Sequence, residues 1–89
     1  MAELIYTEGF IADMTKVEQA TKRAEIMRTV DLLSSFPELG SSNTPLSIRE
    51  RFGTKIRKLA VNPFLVIYEY DQQNDAVYIY GLDHQREAW

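Results

Sequence analysis

The hydrophobic pattern changes its period partway along the chain, and no other feature restricts the fold class as strongly. Before the change, apolar residues recur every three or four positions in two stretches, Phe10-Met14-Val17 and Ile26-Val30-Leu33-Phe36. Such spacing places one apolar stripe on each of two helices. From Ile48 onward the period is two, and β-branched and aromatic residues gather in three runs, Lys55 to Val61, Phe64 to Tyr70 and Ala76 to Leu82. The pattern predicts two helices followed by three strands.

Turn-forming and capping residues set the limits of the first elements. A short apolar run, Leu4 to Tyr6, predicts an N-terminal strand, after which Thr7 is placed to cap the first helix. Thr21 is placed to cap the second helix. The segment Phe36 to Gly40 ends that helix, because Pro37 disfavours helical backbone before it and glycine permits a left-handed residue.

The three strand runs predict an antiparallel meander. Asn62-Pro63 and the stretch Asp71 to Asp75 supply turns between them. In the middle run both faces are largely apolar, which is typical of a strand covered on both sides. The predicted fold is α+β in the order β-α-α-β-β-β, with an N-terminal strand and a helical hairpin packed on an antiparallel sheet of about four strands. Two helices cover one face, so the other is expected to be partly open to a ligand or partner.

Length and charge narrow the class of protein. With 89 residues and 45% hydrophobic content, residues 1–89 are expected to form one domain with a marginal core that a partner would stabilise. The absence of cysteine fits the cytoplasm, and neither a signal peptide nor a membrane span is expected. The net charge of −3 conceals a cationic segment, because residues 49–58 hold five basic and one acidic side chain. No cofactor or metal site can be assembled from one histidine and no cysteine.

Two stretches, Ile56 to Tyr68 and Val77 to Arg86, resemble the signature regions of RelE/ParE toxins of bacterial type II toxin-antitoxin systems. That pattern is an arginine-containing strand, a proline-aromatic turn into an apolar strand ending in tyrosine, and a last strand leading to His-x-x-Arg or a close variant. The segment Phe36 to Gly40 is similar to the ParE-like helix ending. The resemblance, which extends from Ile5 to Arg86, implies the family's fold and a growth-inhibiting toxin neutralised by a cognate antitoxin.

Departures from the family pattern bear on the target. RelE-type members cut messenger RNA on the ribosome with basic side chains on one sheet face, but their arginine position on the strand is Leu65 here, and one of their paired basic positions is Ile56. ParE-type gyrase poisons usually have a longer helical hairpin than residues 10–36 allow. We favour a ParE-like toxin that acts on DNA gyrase by binding. The alternatives are a RelE-type ribosome-dependent mRNA endoribonuclease and a non-toxic relic that keeps only the interaction fold.

The resemblance also implies candidate site residues. If the chain is an enzyme, it is a metal-independent endoribonuclease, and its catalytic candidates are His84, Arg86, Arg57 and Lys58. An imidazole suits the acid or base role, and cations stabilise a pentavalent phosphate. The alternative for His84 is a structural contact in a solvated turn, paired with Asp83 or Glu87.

A second set of residues is expected to bind a partner: Arg49, Arg51, Lys55, Arg57, Lys58 and Trp89. Clustered cations favour an anionic partner, and the acidity of the whole chain favours an antitoxin segment over the ribosome. The alternatives are an ordinary solvated strand face and, for Arg57, a place at the core margin. The expected partners are therefore the antitoxin and either gyrase or ribosome-bound mRNA, in a toxin-antitoxin hetero-oligomer whose stoichiometry the sequence leaves open.

Overall fold

The computed structural model describes residues 1–85. Along the chain its elements are β1 (Glu3–Tyr6), α1 (Glu8–Thr15), α2 (Ala20–Asp31), α3 (Leu46–Phe52), β2 (Ile56–Val61), β3 (Phe64–Asp71) and β4 (Ala76–His84). A 3₁₀ turn, Leu32–Ser34, continues α2. The predicted α+β order is confirmed, and all three strand runs lie within two residues of their expected bounds. The helix α3 is an addition to the predicted order.

The strands form one sheet in the order β1-β4-β3-β2. The pairs β2/β3 and β3/β4 are antiparallel, as the meander predicts. One pairing differs from the expected antiparallel sheet, since β1 runs parallel to β4, with Glu3 opposite Ala76 and Tyr6 opposite Ile79. The helical hairpin causes this difference, because it carries the chain across one face before the meander begins and so lets β1 join β4 in the same direction.

Helix α1 begins where the sequence indicates. The Thr7 side chain accepts a hydrogen bond from the Phe10 N–H at 3.3 Å, and its hydroxyl donates to the Ile79 carbonyl at 2.7 Å. One threonine therefore caps the helix and ties it to β4. The expected cap at Thr21 is wrong: α2 begins after Gln19, which makes no side-chain capping bond, and Thr21 lies inside the helix.

The main core lies between α1, α2 and one sheet face. Its buried helical residues include Phe10, Ile26 and Val30, which pack with Val66 and Tyr68 of β3. Residues of β2 and β3 complete this cluster, with Val61, Val66 and Tyr68 buried and Leu59 and Phe64 partly buried against it. The alternation along β3 is also confirmed, because Leu65 and Ile67 belong to a second cluster.

The second sheet face is covered in part by α3. Ile48 is fully buried there and packs with Leu65 and Ile67, while Phe52 stacks on the ring of Tyr80 with centroids 6.0 Å apart. The expectation of a period-two segment from Ile48 onward is wrong for residues 48–52, which lie in α3. These residues form a helix because Ile48 and Phe52, four positions apart, share the helical side that meets the sheet. The face that the helical hairpin leaves uncovered is therefore open only in part.

Gly40 joins the turn after α2 to the edge of the sheet. Its backbone N–H donates to the Tyr68 hydroxyl at 2.8 Å, and a Cβ atom at Gly40 would lie 2.6 Å from the Lys58 carbonyl oxygen. The next residue, Ser41, exchanges two backbone hydrogen bonds with Lys58. Glycine is therefore required at position 40 because backbone and ring atoms approach it closely. The left-handed backbone expected there from the sequence is wrong, since among residues 1–85 the one glycine with positive φ is Gly53.

Candidate functional site

A cleft of about 300 Å³ lies at the end of β4, where α1, α3 and β3 also meet. Its lining combines two carboxylates, two cations and an imidazole with apolar side chains, namely Asp13, Asp83, Lys16, Arg51, His84, Val17, Phe52, Phe64 and Leu82. Asp13, Arg51 and Asp83 are separated from one another by more than thirty positions in the sequence, so only the fold brings them together. The cleft contains His84 and is the candidate functional site.

His84 is the last residue of β4 and lies opposite Phe64 in the sheet. Its ring meets the Phe64 ring edge-on, with centroids 5.9 Å apart and planes inclined by 76°. The side chain is half-buried, with one side against this aromatic wall. His84 therefore lies in a cleft, and its neighbours there are Asp83, Lys16 and Asp13.

Asp13 was not among the residues singled out from the sequence. Its Oδ2 accepts the backbone N–H of Leu82 at 2.9 Å, just beyond an irregularity where Tyr80 is left out of the β3/β4 register. A Cβ atom at Gly81 would lie 2.9 Å from the same carboxylate oxygen. Asp13 thus replaces a neighbouring strand at the end of β4. The sequence did contain one sign of this role, because Asp13 lies three residues after Phe10 and therefore on the apolar side of α1.

Arg51 forms an ion pair with Asp83, which connects α3 to β4. The guanidinium carbon also lies 5.2 Å from the centroid of the Phe52 ring. The Asp83 side chain is only 12% exposed, whereas that of Arg51 is 53% exposed. Arg51 is one of the cations predicted to bind a partner, and the Asp83 carboxylate offsets its charge.

Arg57 lies on β2 opposite Tyr68 and is half-buried. Its Nη1 donates to the Gly40 carbonyl oxygen at 2.8 Å, and its guanidinium lies 4.0 Å from the Glu38 carboxylate. Arg57 therefore lies at the core margin, as one interpretation of the sequence expected, and its contribution to stability stays a prediction. Strand spacings of about 4.8 Å and a rise of about 3.3 Å per residue put the Arg57 backbone roughly 16 Å from that of His84.

The other cations of the basic segment do not share one surface. Lys58 lies opposite Ile67, so its side chain points to the sheet face opposite that of Arg57. Lys55 is exposed just before β2, and Arg49 is exposed on α3. The pKa of Asp71 is lowered, chiefly by a hydrogen bond from the Asn74 side chain and to a smaller extent by the charge of Lys55. The expected patch is therefore divided between two sheet faces and a helix, and its binding role stays a prediction. Arg86 and Trp89 lie outside the described residues.

The charged side chains that line the cleft limit the chemistry available there. Among residues 1–85, Arg51 is paired with Asp83 and Asp13 lines the same space as Lys16, so the charges that line the cleft are mixed. Within residues 1–85 no group of acidic, histidine or cysteine side chains is arranged to hold a metal ion. Across that same range no helix has the length and apolar character needed to cross a bilayer.

The sequence model of one family, described as ParE toxin of type II toxin-antitoxin system, parDE, matches residues 4–89. No curated protein matches the chain.

Solved structures resemble the fold over nearly its whole length. The toxin-antitoxin complex RelBE2 from Mycobacterium tuberculosis contains a chain with a TM-score of 0.73 and 20% identity, over 93% of this chain and 96% of that one. The intact RelBE toxin-antitoxin complex of E. coli gives a TM-score of 0.70 at 11% identity, over 94% and 96% of the two chains. The isolated E. coli RelE toxin gives 0.70 at 13% identity, over 94% and 84%. At these identities the likeness shows the fold alone.

Proposed function

The chain belongs to the ParE toxin family of type II toxin-antitoxin systems, and we propose that it arrests growth by binding DNA gyrase in the cytoplasm. We further propose that a cognate antitoxin neutralises it by forming a complex, as in the RelBE structures, which hold toxin and antitoxin together. The observation that carries the choice of target is the placement of the residues on which nuclease chemistry would depend.

Leu65 supports binding over RNA cleavage. It occupies the strand position where RelE-type nucleases carry an arginine, and here it is 2% exposed and packs with Ile48 of α3. A side chain at this position lies under α3, away from solvent, and in this chain it is apolar. The second sheet face therefore lacks one of the charges that RelE-type cleavage requires.

Arg57 supports the same choice. Its guanidinium donates to the Gly40 carbonyl and lies near Glu38. By strand geometry, the backbone of Arg57 is roughly 16 Å from the backbone of His84. A general acid or base and the cations that stabilise the phosphate must surround one reacting group within hydrogen-bond reach. Of the four catalytic candidates, Arg57 and Lys58 point to opposite faces, so they cannot both act with His84 on one phosphate without rearrangement.

A pair of assays on purified protein tests this function. DNA supercoiling by gyrase and cleavage of mRNA in programmed ribosomes are measured side by side at equal toxin concentration. We expect inhibition of supercoiling and no cleavage of the message. Message cleavage without any effect on supercoiling would refute the proposed target, and normal growth at high expression of intact protein would refute toxin activity itself.

The RelE-type alternative has one specific observation in its favour, which is that His84 lies in a cleft beside Lys16. In a nuclease, His84→Ala would lower mRNA cleavage by roughly a hundredfold or more, because a general acid or base contributes about that factor. In a gyrase inhibitor, we expect the same change to weaken inhibition by less than about tenfold, through loss of a contact. Circular dichroism controls for the fold, since His84 packs against Phe64.

A further inference from the structure

The turn that follows α2 presents apolar side chains to solvent. Phe36 is 60% exposed and Leu39 is 48% exposed, and Pro37 lies between them in the sequence. Together with Glu38, Tyr70 and Gln72 they line a groove of about 590 Å³ between this turn and the end of β3. A single exposed apolar residue is ordinary on a protein surface, but several around one groove are typical of a surface that binds a partner.

Hydrogen bonds fix the backbone of this turn. The Leu39 N–H donates to the Phe36 carbonyl at 3.0 Å. At the end of the turn, the Gly40 N–H donates to the buried Tyr68 hydroxyl at 2.8 Å, and the Arg57 guanidinium donates to the Gly40 carbonyl at 2.8 Å. The backbone that carries the exposed apolar side chains is therefore preformed, which lowers the conformational entropy lost when a partner covers them.

Carboxylates lie around this groove. Glu38 is its one charged lining residue within residues 1–85, and it accepts a hydrogen bond from the Gln72 side chain at 3.2 Å. The Tyr70 hydroxyl donates to the Asp75 carboxylate at 2.7 Å. This hydrogen bond is the main cause of a raised pKa at the Tyr70 phenol, and the charges of Asp75, Glu38 and Asp71 also raise it. Three carboxylates therefore lie close enough to act on one hydroxyl group.

Two cations beside the groove leave this negative charge largely in place. Arg57 lies 4.0 Å from Glu38, but its side chain is 27% exposed against 58% for that of Glu38, so the carboxylate is the group presented to solvent. Lys55 lines a neighbouring pocket with Asp71 and does not line this groove. The surface therefore has an apolar centre and an acidic rim, which complements a partner surface that is cationic and partly apolar.

Charge also distinguishes between possible occupants. A second copy of this chain fits poorly, because two-fold pairing of the surface with itself would bring the Glu38, Asp71 and Asp75 carboxylates of both copies together. DNA gyrase fits better, since an enzyme that holds DNA carries clustered lysine and arginine where it contacts the phosphates.

We propose that turn 36–39 and its groove dock on a cationic surface of DNA gyrase, with Phe36 as the apolar anchor and Glu38 in the acidic rim. This inference rests on the proposed function, because the partner is the proposed target. The anchor supplies affinity, while the rim carboxylates steer association. The surface is separate from the cleft that contains His84, because Phe64 and Tyr70 lie at opposite ends of β3, roughly 20 Å apart by strand rise.

A pair of matched variants tests the apolar anchor by surface plasmon resonance on immobilised, purified bacterial DNA gyrase. Phe36→Ala removes an exposed ring and should leave the fold intact, and we expect it to weaken gyrase affinity by about tenfold or more, chiefly through faster dissociation. Leu46→Ala is the control, because Leu46 is 64% exposed on α3 outside the groove, and it should leave the affinity unchanged.

A second pair of variants tests the acidic rim. Glu38→Gln removes the charge but keeps an oxygen acceptor for the Gln72 side chain, so the turn should be preserved. We expect it to slow association with gyrase by about twofold or more at low salt and to have little effect at high salt, where the charges are screened. Glu50→Gln, at an exposed position on α3, is the control and should leave the association rate unchanged. Equal low-salt rates for the two variants would refute the charge complementarity that selects this partner.

The outcomes separate this inference from the proposed function. If the unmodified protein neither binds gyrase nor inhibits supercoiling, the target and its docking surface are both refuted. If it binds and inhibits, but Phe36→Ala binds as tightly as Leu46→Ala, only the docking surface is refuted. A dimer of the free protein that Phe36→Ala dissociates would show that a second copy occupies the surface, and this too would overturn the proposal.

Discussion

Replacing Tyr68 by phenylalanine removes a single oxygen from the centre of the fold. Tyr68 is 0% exposed, and its hydroxyl accepts the Gly40 N–H at 2.8 Å. The ring stays in place, so no sizeable cavity forms, and the cost is that of a buried N–H without a partner. Such a group costs about 1–3 kcal/mol. Gly40 cannot move toward another acceptor easily, because its Cα packs close to the Lys58 carbonyl and the Tyr68 ring.

The expected loss is measurable by denaturation. For a domain of this length, 1 kcal/mol shifts the melting temperature by roughly 4–8 °C, so Tyr68→Phe should lower it by about 4 °C or more. Urea unfolding followed by circular dichroism gives the free energy directly. The matched control is Tyr70→Phe, which removes an exposed hydrogen bond from the Tyr70 hydroxyl to Asp75 and should cost less than about 0.5 kcal/mol. Equal stability of Tyr68→Phe and Tyr70→Phe would refute a structural role for the bond to Gly40.

Three further predictions concern the cation at the core margin, the cleft and pH. Arg57→Met should lower stability by about 1.5–3 kcal/mol in urea unfolding, because the Gly40 carbonyl loses a charged donor, whereas Lys55→Met at an exposed position should change it by less than about 0.5 kcal/mol; similar losses for both would contradict this. Asp13→Ala should cost about 1 kcal/mol and Asp13→Asn distinctly less, because asparagine keeps an acceptor for the Leu82 N–H, and equal losses would show that the charge, not the acceptor, matters. Burial raises the pKa of the Tyr68 phenol. The stability that comes from keeping this phenol protonated is therefore complete below the unfolded pKa of about 10, and it is lost as the pH rises from there toward the folded pKa. A spectrophotometric titration should find Tyr68 ionising with alkaline unfolding, and its ionisation at an ordinary pH in the folded protein would disprove this assignment.

The candidate site was predictable only in part. His84 was singled out from the resemblance, and the structure places it in a cleft. The basic segment was treated as one patch because its residues are adjacent in sequence, yet alternation along β2 sends Arg57 and Lys58 to opposite faces. Asp13 and Lys16 escaped notice because nothing in the chain indicates that the end of α1 meets the end of β4, more than sixty residues later.

The sequence by itself determined the elements whose periodic signal is long or whose local chemistry is specific. Apart from Phe36, which lies beyond the helix and is 60% exposed, the two apolar stripes follow from side-chain periodicity, as do the three strand runs and the two-sided burial of β3. The Thr7 cap follows from local capping chemistry. Only the tertiary structure decided the rest. The seven residues of α3 are too few to show a helical period, and they form a helix because Ile48 and Phe52 meet the second sheet face. The parallel direction of β1, the close approach at Gly40 and the carboxylate of Asp13 at the end of β4 depend on contacts between residues distant along the chain. Local sequence propensity does not predict such contacts, because they stabilise the fold only when both partners are already in place.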